Sequence, residues 1–216
     1  MKKIDLQFNP YFFIPFIIWI IFGALAQYQY DATYLFFLFN THYHPYLDIF
    51  FEYATKLGEA SGMILIALVF LSFKKHRTVF HFLCIAACLI LPALFTQLIK
   101  HWVNAPRPQL VFAQNVLLHK LPHWDTLFHH SFPSGHSTGV FSLMCFLAIM
   151  LPRTQAYWAL VFFILAMTTA YSRIYLAAHF FEDVYVGSIV GTLGALLIAR
   201  IFAYLNKKIT NKYFCN

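Results

Sequence analysis

The sequence of 216 residues is short of charge, because only 11% of its residues are Asp, Glu, Lys or Arg. Soluble chains carry about 25%, so this chain has too little charge to cover a water-facing surface, and an ordinary soluble protein is excluded. A disordered chain is excluded as well, because 61% of the residues are hydrophobic and 20% are aromatic. We therefore predict a single membrane domain that occupies residues 1–216.

Cysteine is also scarce, with four residues in the chain. Cys84, Cys88 and Cys145 lie in apolar runs, and Cys215 lies in the C-terminal tail. They form no paired framework in a polar loop, so we expect no structural disulfide. The net charge of +7 would suit a nucleic-acid-binding protein, but such a protein needs a wet basic surface. We therefore predict no nucleic-acid partner.

Long apolar runs are the most prominent feature of the sequence. A helix of about 20 apolar residues crosses ~30 Å of hydrocarbon. Six runs approach this length: Tyr11–Tyr28, Leu57–Phe73, Val79–Ile99, Gly135–Leu151, Gln155–Tyr171 and Val184–Tyr204. The sequence therefore predicts an all-α, polytopic membrane protein with six transmembrane helices, and it contains no internal repeat or second domain.

The basic residues are distributed unevenly between the two ends of these runs. Ten of the fifteen lie on one side: Lys2, Lys3, Lys74, Lys75, Arg77, Arg153, Arg200, Lys207, Lys208 and Lys212. Seven of the eight acidic residues lie on the other side. The positive-inside rule makes the first side cytoplasmic, so both termini are predicted to be cytoplasmic.

The first run has an alternative interpretation as a cleaved signal peptide, because it follows two lysines and ends near Ala24-Leu25-Ala26. Asp5, Pro10 and Pro15 fit such a peptide poorly. We therefore interpret the run as a first span, and cleavage would leave the orientation of the other runs unchanged.

Two long loops are predicted on the non-cytoplasmic side. In the first, residues 29–56, apolar and charged residues alternate at helical spacing, which predicts an interfacial helix. Its apolar side holds Leu47, Phe50, Phe51, Ala54 and Leu57, and its polar side holds Asp48, Glu52 and Lys56. The second loop, residues 100–133, contains His101, His119, His123, His129 and His130. These histidines lack companion ligands at a known metal-site spacing, so an interfacial loop is favoured over a metal site.

Polar residues cluster at four ends of the predicted spans, all on the non-cytoplasmic side. They are Lys100 and Arg107, then Ser134, Gly135 and His136, then Arg173 and His179, and finally Asp183. Ionisable groups beside a membrane span are costly and are functional candidates by default. Three cations and two imidazoles at one surface suit a phosphate, whose charge requires several fixed donors.

The residue types in this cluster also indicate a chemistry. His179 and Asp183 are four residues apart and are predicted to face each other on one helical turn. A carboxylate on one ring nitrogen fixes the histidine tautomer and makes the other nitrogen a better nucleophile or base. His136 is a second imidazole that is free to act as an acid.

The remaining residues of the cluster are suited to binding an anion. Ser134 and Gly135 open a predicted helix, where unpaired backbone N–H groups and the helix dipole favour negative charge. Arg107 and Arg173 carry planar guanidinium groups that match phosphate oxygens, and Lys100 adds a point charge.

These residues form three patterns in order. The segment Lys100–Pro108 fits K-x6-R-P, Pro133–His136 reads P-S-G-H, and Ser172–Asp183 fits S-R-x5-H-x3-D. Together they resemble the type 2 phosphatidic acid phosphatase (PAP2) superfamily of membrane phosphatases, without departure at any defining position. The motifs cover residues 100–183, and the six-span layout extends the resemblance to nearly the whole chain.

The resemblance implies a role for each matched residue. His179 is implied to be the nucleophile that becomes a phosphohistidine, with Asp183 orienting it. His136 is implied to be the acid for the leaving group and then the base for water. The implied phosphate-binding residues are Lys100, Arg107, Ser134, Gly135 and Arg173. No metal and no cofactor are implied, because three cations neutralise the phosphate.

Structural roles remain as alternatives for several of these residues. They are a buried His179–Asp183 bond without catalysis, a helix-start role for His136, pairing of Arg173 with Glu182 or Asp183, and a snorkelling Lys100.

The favoured function is a bacterial inner-membrane lipid phosphatase whose active site faces the periplasm or cell exterior. Its partners are the bilayer and a membrane lipid substrate, with undecaprenyl diphosphate preferred. Phosphatidic acid, phosphatidylglycerophosphate and lipid A are alternative substrates. A vanadate haloperoxidase is disfavoured by the spans, and a transporter is disfavoured because the polar residues lie at span ends. An inactive lipid-binding scaffold is disfavoured because His179, Asp183 and His136 are all present.

Overall fold

The structure is a computed structural model that describes residues 8–73, 78–124 and 128–214. Within these residues the chain is helical and has no strand. The helices are α1 (Pro10–Gln29), α2 (Ala32–Asn40), α3 (Pro45–Lys56), α4 (Ala60–Ser72), α5 (Val79–Val103), α6 (Pro108–Val111), α7 (Gly135–Met150), α8 (Trp158–Tyr175) and α9 (Phe181–Phe214), with a 3-10 turn at Arg153–Gln155. Lys2, Lys3, Asp5, Lys74, Lys75, Arg77 and Cys215 lie outside the described residues, as do the side chains of Lys207, Lys208 and Lys212.

The prediction of an all-α, multi-pass membrane protein is confirmed. In the described part of the chain, four helical segments are long and apolar enough to cross a membrane: Pro10–Gln29, Val79–Val111, Trp158–Tyr175 and Phe181–Asn206. A fifth arises if α3 and α4, which meet at a bend of 66°, form one broken span. The shorter apolar helix α7 occupies the fourth predicted run. Each of the six runs contains a helix, and six complete spans remain a prediction.

The central element is α7, whose residues from 137 to 149 are all buried. Helix α9 packs closely on it because Gly187 and Gly191 face the α7 backbone. A Cβ atom at Gly187 would lie 2.8 Å from the carbonyl oxygen of Ser134, and one at Gly191 would meet the carbonyl oxygen of Thr138. Small residues four apart allow helices in a membrane to approach in this way. The contact holds the first turns of α7 and α9 side by side.

The ends of three helices differ from the sequence-based boundaries. Helix α5 continues to Val103, so Lys100 lies in its last turn, and α8 continues to Tyr175, so Arg173 also lies in a last turn. The left-handed conformation of Asn104, with φ of 46°, ends α5. His179 precedes α9, so the expectation that it shares a helical turn with Asp183 is wrong. Ala177, at φ of 52°, turns the chain between the two helices.

The predicted amphipathic helix in the first loop is present as α3, and part of its polar side contacts the protein. Asp48 is half-buried and accepts hydrogen bonds from Tyr175 and His119, whereas Leu47 and Phe50 are exposed. Asp48 and Glu52 contact the protein because they find partners there, Glu52 in His123 at 3.2 Å. The apolar side is divided: Leu47 and Phe50 face the surroundings, whereas Ala54 is buried and Phe51 packs against Tyr175.

Candidate active site

The residues before α9 form a tightly bonded group around the Asp183 carboxylate. Asp183 and His179 are 1% and 2% exposed, and Asp183 Oδ2 lies 3.2 Å from His179 Nδ1. The same oxygen accepts hydrogen bonds from Ser131 Oγ at 2.5 Å and from the backbone N–H of Phe180 at 2.9 Å. An ionised carboxylate only accepts hydrogen bonds, so the proton between the two side chains belongs to Nδ1. The ring therefore keeps Nε2 for other chemistry.

The start of α7 is joined directly to this group. The backbone N–H of Ser134 donates to the carbonyl oxygen of Asp183 at 2.9 Å. The fully buried Ser134 hydroxyl caps α7 by accepting from the N–H of Ser137 at 3.4 Å and its hydroxyl at 3.0 Å. Gly135 follows as the first residue of the helix, and a Cβ atom there would lie 3.9 Å from Lys100 Cε. A helix N-terminus with small residues thus lies beside Lys100 and Asp183, where an anion is favoured.

His136 is half-buried in the first turn of α7, beneath the bend between α3 and α4. Gly58 lies at this bend, and a Cβ atom there would lie 3.0 Å from His136 Cβ and Cδ2 and 2.8 Å from Thr169 Cγ2. The absence of a side chain at Gly58 therefore makes room for the imidazole.

Arg173 is 4% exposed and has fewer partners than a buried guanidinium requires. Its Nη1 donates to Thr55 Oγ1 at 2.6 Å, and its Nε has no hydrogen-bond partner among the described residues. The guanidinium carbon lies 6.0 Å from the ring centroid of Trp124. An unpaired buried donor is costly, and a bound anion would satisfy it. The structure pairs Arg173 with Thr55 and not with the acidic residues considered from the sequence.

Lys100 and Arg107 hold the loop that carries Ser131. Lys100 Nζ donates to the carbonyl oxygens of His130 at 2.5 Å and Ser131 at 3.3 Å. Arg107 donates to the carbonyl oxygens of His129 at 2.9 Å, Ala178 at 3.1 Å and His130 at 3.4 Å. Lysine has three N–H donors and arginine has five, so each cation retains donors for a ligand after these bonds are made.

Burial and positive charge set the protonation state of His179. Burial is the larger effect, and the charges of Arg107, Lys100 and Arg173 act in the same direction. Together they lower the pKa of His179 well below its ordinary value of 6.5. The ring is therefore neutral at physiological pH, which is the state required of a nucleophile.

The arrangement combines an oriented neutral imidazole, a second imidazole and three cations at one end of the helix bundle. A family model described as the PAP2 superfamily matches residues 81–207, which is more than half of the chain. The chain belongs to the PAP2 superfamily. The resemblance predicted from the three motifs is therefore confirmed, and the match places the chain in a family of phosphatases.

The PAP2 assignment agrees with two solved structures. Aquifex aeolicus LpxE is 25% identical, with a TM-score of 0.63, over 78% of this chain and 94% of its own. The transmembrane PAP2-type phosphatidylglycerolphosphate phosphatase of Bacillus subtilis is 22% identical, with a TM-score of 0.62, over 90% of this chain and 96% of its own, which supports the fold.

A Drosophila melanogaster protein named "Putative phosphatidate phosphatase" is 33% identical over 91 residues, or 38% of this chain. The match spans about a quarter, 24%, of the length of that curated relative.

All eight residues singled out from the sequence are found in this part of the PAP2 fold, but sequence reasoning missed three neighbours that support them. Ser131 bonds Asp183, Thr55 bonds Arg173, and Gly58 makes room for His136. Ser131 lies only two positions before P-S-G-H, which was the one available signal. Thr55 and Gly58 lie outside the matched PAP2 region, and no local pattern distinguishes them.

Four of the five loop histidines of the PAP2 chain have ordinary structural partners. His119 Nε2 lies 2.8 Å from Asp48 and its ring stacks on Tyr43, while His123 pairs with Glu52 at 3.2 Å. His101 stacks on His130 at a centroid distance of 5.0 Å. Within residues 8–73, 78–124 and 128–214, no group of three or more His, Cys, Asp or Glu side chains could hold a metal ion. Cys84, Cys88 and Cys145 are free and buried.

Proposed function

We propose that this protein is a membrane phosphatase that removes a phosphate from a lipid phosphate or diphosphate through a phosphohistidine on His179. The observation that carries the proposal is the bond from His179 Nδ1 to Asp183 Oδ2 at 3.2 Å, in a buried site that contains three cations. This hydrogen bond supports the tautomer that carries its proton on Nδ1, which leaves the Nε2 lone pair available to attack phosphorus.

In the first step the Nε2 lone pair of His179 attacks phosphorus. An N–P bond forms, the bond from phosphorus to the lipid oxygen breaks, and that oxygen takes a proton from His136. The Nδ1–H bond to Asp183 stabilises the positive charge that the His179 ring acquires. The lipid leaves as an alcohol, or as a monophosphate if the substrate is a diphosphate.

In the second step water attacks the phosphohistidine. His136, now neutral, takes a proton from the water while an O–P bond forms and the N–P bond breaks. Inorganic phosphate leaves, neutral His179 is restored, and His136 is again protonated. The two steps balance without an oxidant, a reductant or a metal ion.

The cations stabilise the transition state in this proposal. Phosphoryl transfer spreads negative charge over three equatorial oxygens, and fixed donors directed at them lower the barrier. The unpaired Nε of Arg173 and the remaining donors of Lys100 and Arg107 are such groups. The backbone N–H of Ser134 already donates to the carbonyl oxygen of Asp183. The N–H of Gly135 and the hydroxyl hydrogen of Ser134 therefore complete the proposed phosphate site at the start of α7.

A lipid substrate is supported by the location of the site at the ends of apolar helices. A headgroup that diffuses in the bilayer reaches such a site laterally. The phosphatidate phosphatase name of the Drosophila relative supports a lipid phosphate. Within this class, undecaprenyl diphosphate remains our preferred candidate, ahead of phosphatidic acid, phosphatidylglycerophosphate and lipid A.

We further propose the topology predicted from the sequence. Residues 1–216 form one domain with six spans, and α3 lies in the interface. Both termini are cytoplasmic, and the site faces the periplasm or cell exterior of a bacterial inner membrane. Cysteines introduced one at a time at Asn115 and Thr154 test this orientation, in a Cys215→Ser background whose remaining cysteines, Cys84, Cys88 and Cys145, are buried. In intact cells a membrane-impermeant thiol reagent should label position 115 and not position 154. The reverse labelling would overturn the orientation.

Phosphate release by the purified protein in detergent with EDTA tests the function. The substrates are undecaprenyl diphosphate, phosphatidic acid, phosphatidylglycerophosphate and lipid A. We expect release from at least one lipid, loss of release in His179→Ala, and retention in His123→Ala, a change at an exposed histidine outside the site. Acid-labile, base-stable labelling of the wild-type protein by ³²P-substrate, absent in His179→Ala, would identify the phosphohistidine.

The possible outcomes separate the parts of the proposal. Release that persists in His179→Ala would reject the nucleophile. No release from any lipid by a folded protein would reject the lipid phosphatase function and favour a lipid-binding role.

A further inference from the structure

Ser131 is a fully buried residue in the loop before α7, outside the positions that define the three motifs. Its hydroxyl lies 2.5 Å from Asp183 Oδ2 and 3.4 Å from His179 Nδ1. It therefore contacts both members of the proposed nucleophilic pair without being one of them.

The direction of these hydrogen bonds follows from the donors available. A serine hydroxyl has one hydrogen, and the carboxylate at 2.5 Å can only accept it. Toward His179, the Ser131 oxygen is then left as an acceptor. The Nδ1–H of His179 is consequently shared between Asp183 Oδ2 at 3.2 Å and Ser131 Oγ at 3.4 Å. Both neighbours favour the tautomer that carries its proton on Nδ1.

The backbone of Ser131 joins the same group to the K-x6-R-P segment. Its N–H donates to the carbonyl oxygen of Ala105 at 3.0 Å, and its carbonyl oxygen accepts from Lys100 Nζ at 3.3 Å. Ser131 is therefore fixed through its backbone by the segment that carries Lys100, and its side chain contacts the segment that carries His179 and Asp183. Its side chain has little freedom to turn away from Asp183.

We propose that Ser131 is a positioning residue that fixes the Asp183 carboxylate and the Nδ1–H tautomer of His179. The inference rests on the proposed function of His179 as the nucleophile. In this role Ser131 also shares the negative charge of the carboxylate, because a donated hydrogen bond stabilises the ionised form. The lysine and two arginines around the pair oppose protonation of the ring, so Ser131 and these cations together set its charge.

Ser131→Ala removes the hydroxyl and leaves the backbone contacts in place. The carboxylate then keeps two of its three donors and presents more negative charge to the His179 ring. We expect the pKa of His179 to rise, so the acidic limb of kcat/KM moves to higher pH. We also expect kcat to fall about 10-fold to 100-fold, with KM changed less than about twofold, because the reacting group and not the substrate site is disturbed.

The experiment compares the full-length protein with Ser131→Ala, Ser131→Thr and Ser142→Ala in detergent. Ser142 is the matched control, because it is equally buried and its hydroxyl donates to the carbonyl oxygen of Cys88 on α5 at 2.9 Å, away from the site. Ser131→Thr keeps a hydroxyl, so its folded fraction should show the acidic limb of kcat/KM at the wild-type pH. The measurements are kcat, KM and the pH profile of kcat/KM, with the folded fraction determined for each variant.

A second measurement does not depend on turnover. In protein labelled with ¹⁵N-histidine, the His179 signals are identified by their loss in His179→Ala, and their titration midpoint is followed by NMR. The midpoint should be higher in Ser131→Ala than in the wild-type protein and unchanged in Ser142→Ala.

The outcomes distinguish this inference from the proposed function. An active wild-type protein in which Ser131→Ala matches Ser142→Ala in kcat, acidic limb and NMR midpoint would overturn the role of Ser131. An inactive wild-type protein would overturn the proposed function, and the NMR midpoint alone would then decide whether Ser131 positions the pair. A raised midpoint would support it, and an unchanged one would reject it.

Discussion

Thr55 lies outside the three PAP2 motifs, yet Thr55→Val should strongly lower the activity of the site. Valine has nearly the shape of threonine but cannot accept the hydrogen bond that Arg173 Nη1 donates to Thr55 Oγ1 at 2.6 Å. The change would leave Nη1 unpaired beside an Nε that already lacks a partner within the described residues. Arg173 is 4% exposed, so water cannot readily replace the lost acceptor.

The expected magnitude follows from the charge of the donor. A hydrogen bond to a charged group contributes about 1.5–3 kcal/mol, and each 1.36 kcal/mol corresponds to a tenfold change in rate. If Thr55 holds the guanidinium where the phosphate binds, kcat/KM should fall about 10-fold to 150-fold. Thr55→Ser keeps the hydroxyl and should retain most of the activity.

The assay is phosphate release from the best lipid substrate, with thermal unfolding measured in the same detergent. Thr192→Val is the matched control, because Thr192 is 1% exposed and its hydroxyl has no partner among the described residues. That control should be as active and at least as stable as the wild-type protein, since it removes an unsatisfied buried hydroxyl. Activity of Thr55→Val within twofold of the control would refute the reasoning.

Three further predictions concern the metal, the pH and the bend above His136. Activity should persist in EDTA, because the cations neutralise the phosphate, and loss of turnover on chelation would contradict this. A histidine with a lowered pKa stays neutral as the pH falls, so the acidic limb of kcat/KM should lie below pH 6.5; a limb above that value would show that His179 is not the group observed. Gly58→Ala should lower kcat more than stability, because the new Cβ would lie 3.0 Å from His136. A normal kcat in Gly58→Ala would mean that the bend between α3 and α4 shifts to accommodate the new Cβ without displacing the His136 imidazole.

The helices could be predicted because hydrophobicity is a property of each segment alone. Every apolar run in the sequence contains a helix, and Lys100 and Arg107, at the end of one run, both contact the loop before α7. Helix ends were harder to predict, because they depend on single residues such as Asn104 and Ala177 that adopt left-handed conformations. His179 was therefore expected on a helical turn, whereas it lies in the segment before α9.

The amphipathic pattern of α3 shows a second limit. Alternation predicts that one side is apolar and the other polar, but it does not say which side meets the protein. Asp48 contacts Tyr175 and His119, which come from distant parts of the chain, and this pairing turns Asp48 toward the protein while Leu47 and Phe50 stay exposed. In a membrane protein the outer surface is also apolar, so hydrophobicity alone does not orient such a helix.

The sequence by itself determined that the protein is helical and membrane-embedded, that it belongs to the PAP2 superfamily, and that His136, His179 and Asp183 are candidates for its chemistry. These conclusions depend on composition and on short motifs, which are readable without a fold. Only the tertiary structure decided that Ser131 supports Asp183, that Thr55 is the partner of Arg173, and that Gly58 lies over His136. Those contacts join segments separated by 52, 118 and 78 positions, so they depend on how the helices cross and where each one ends.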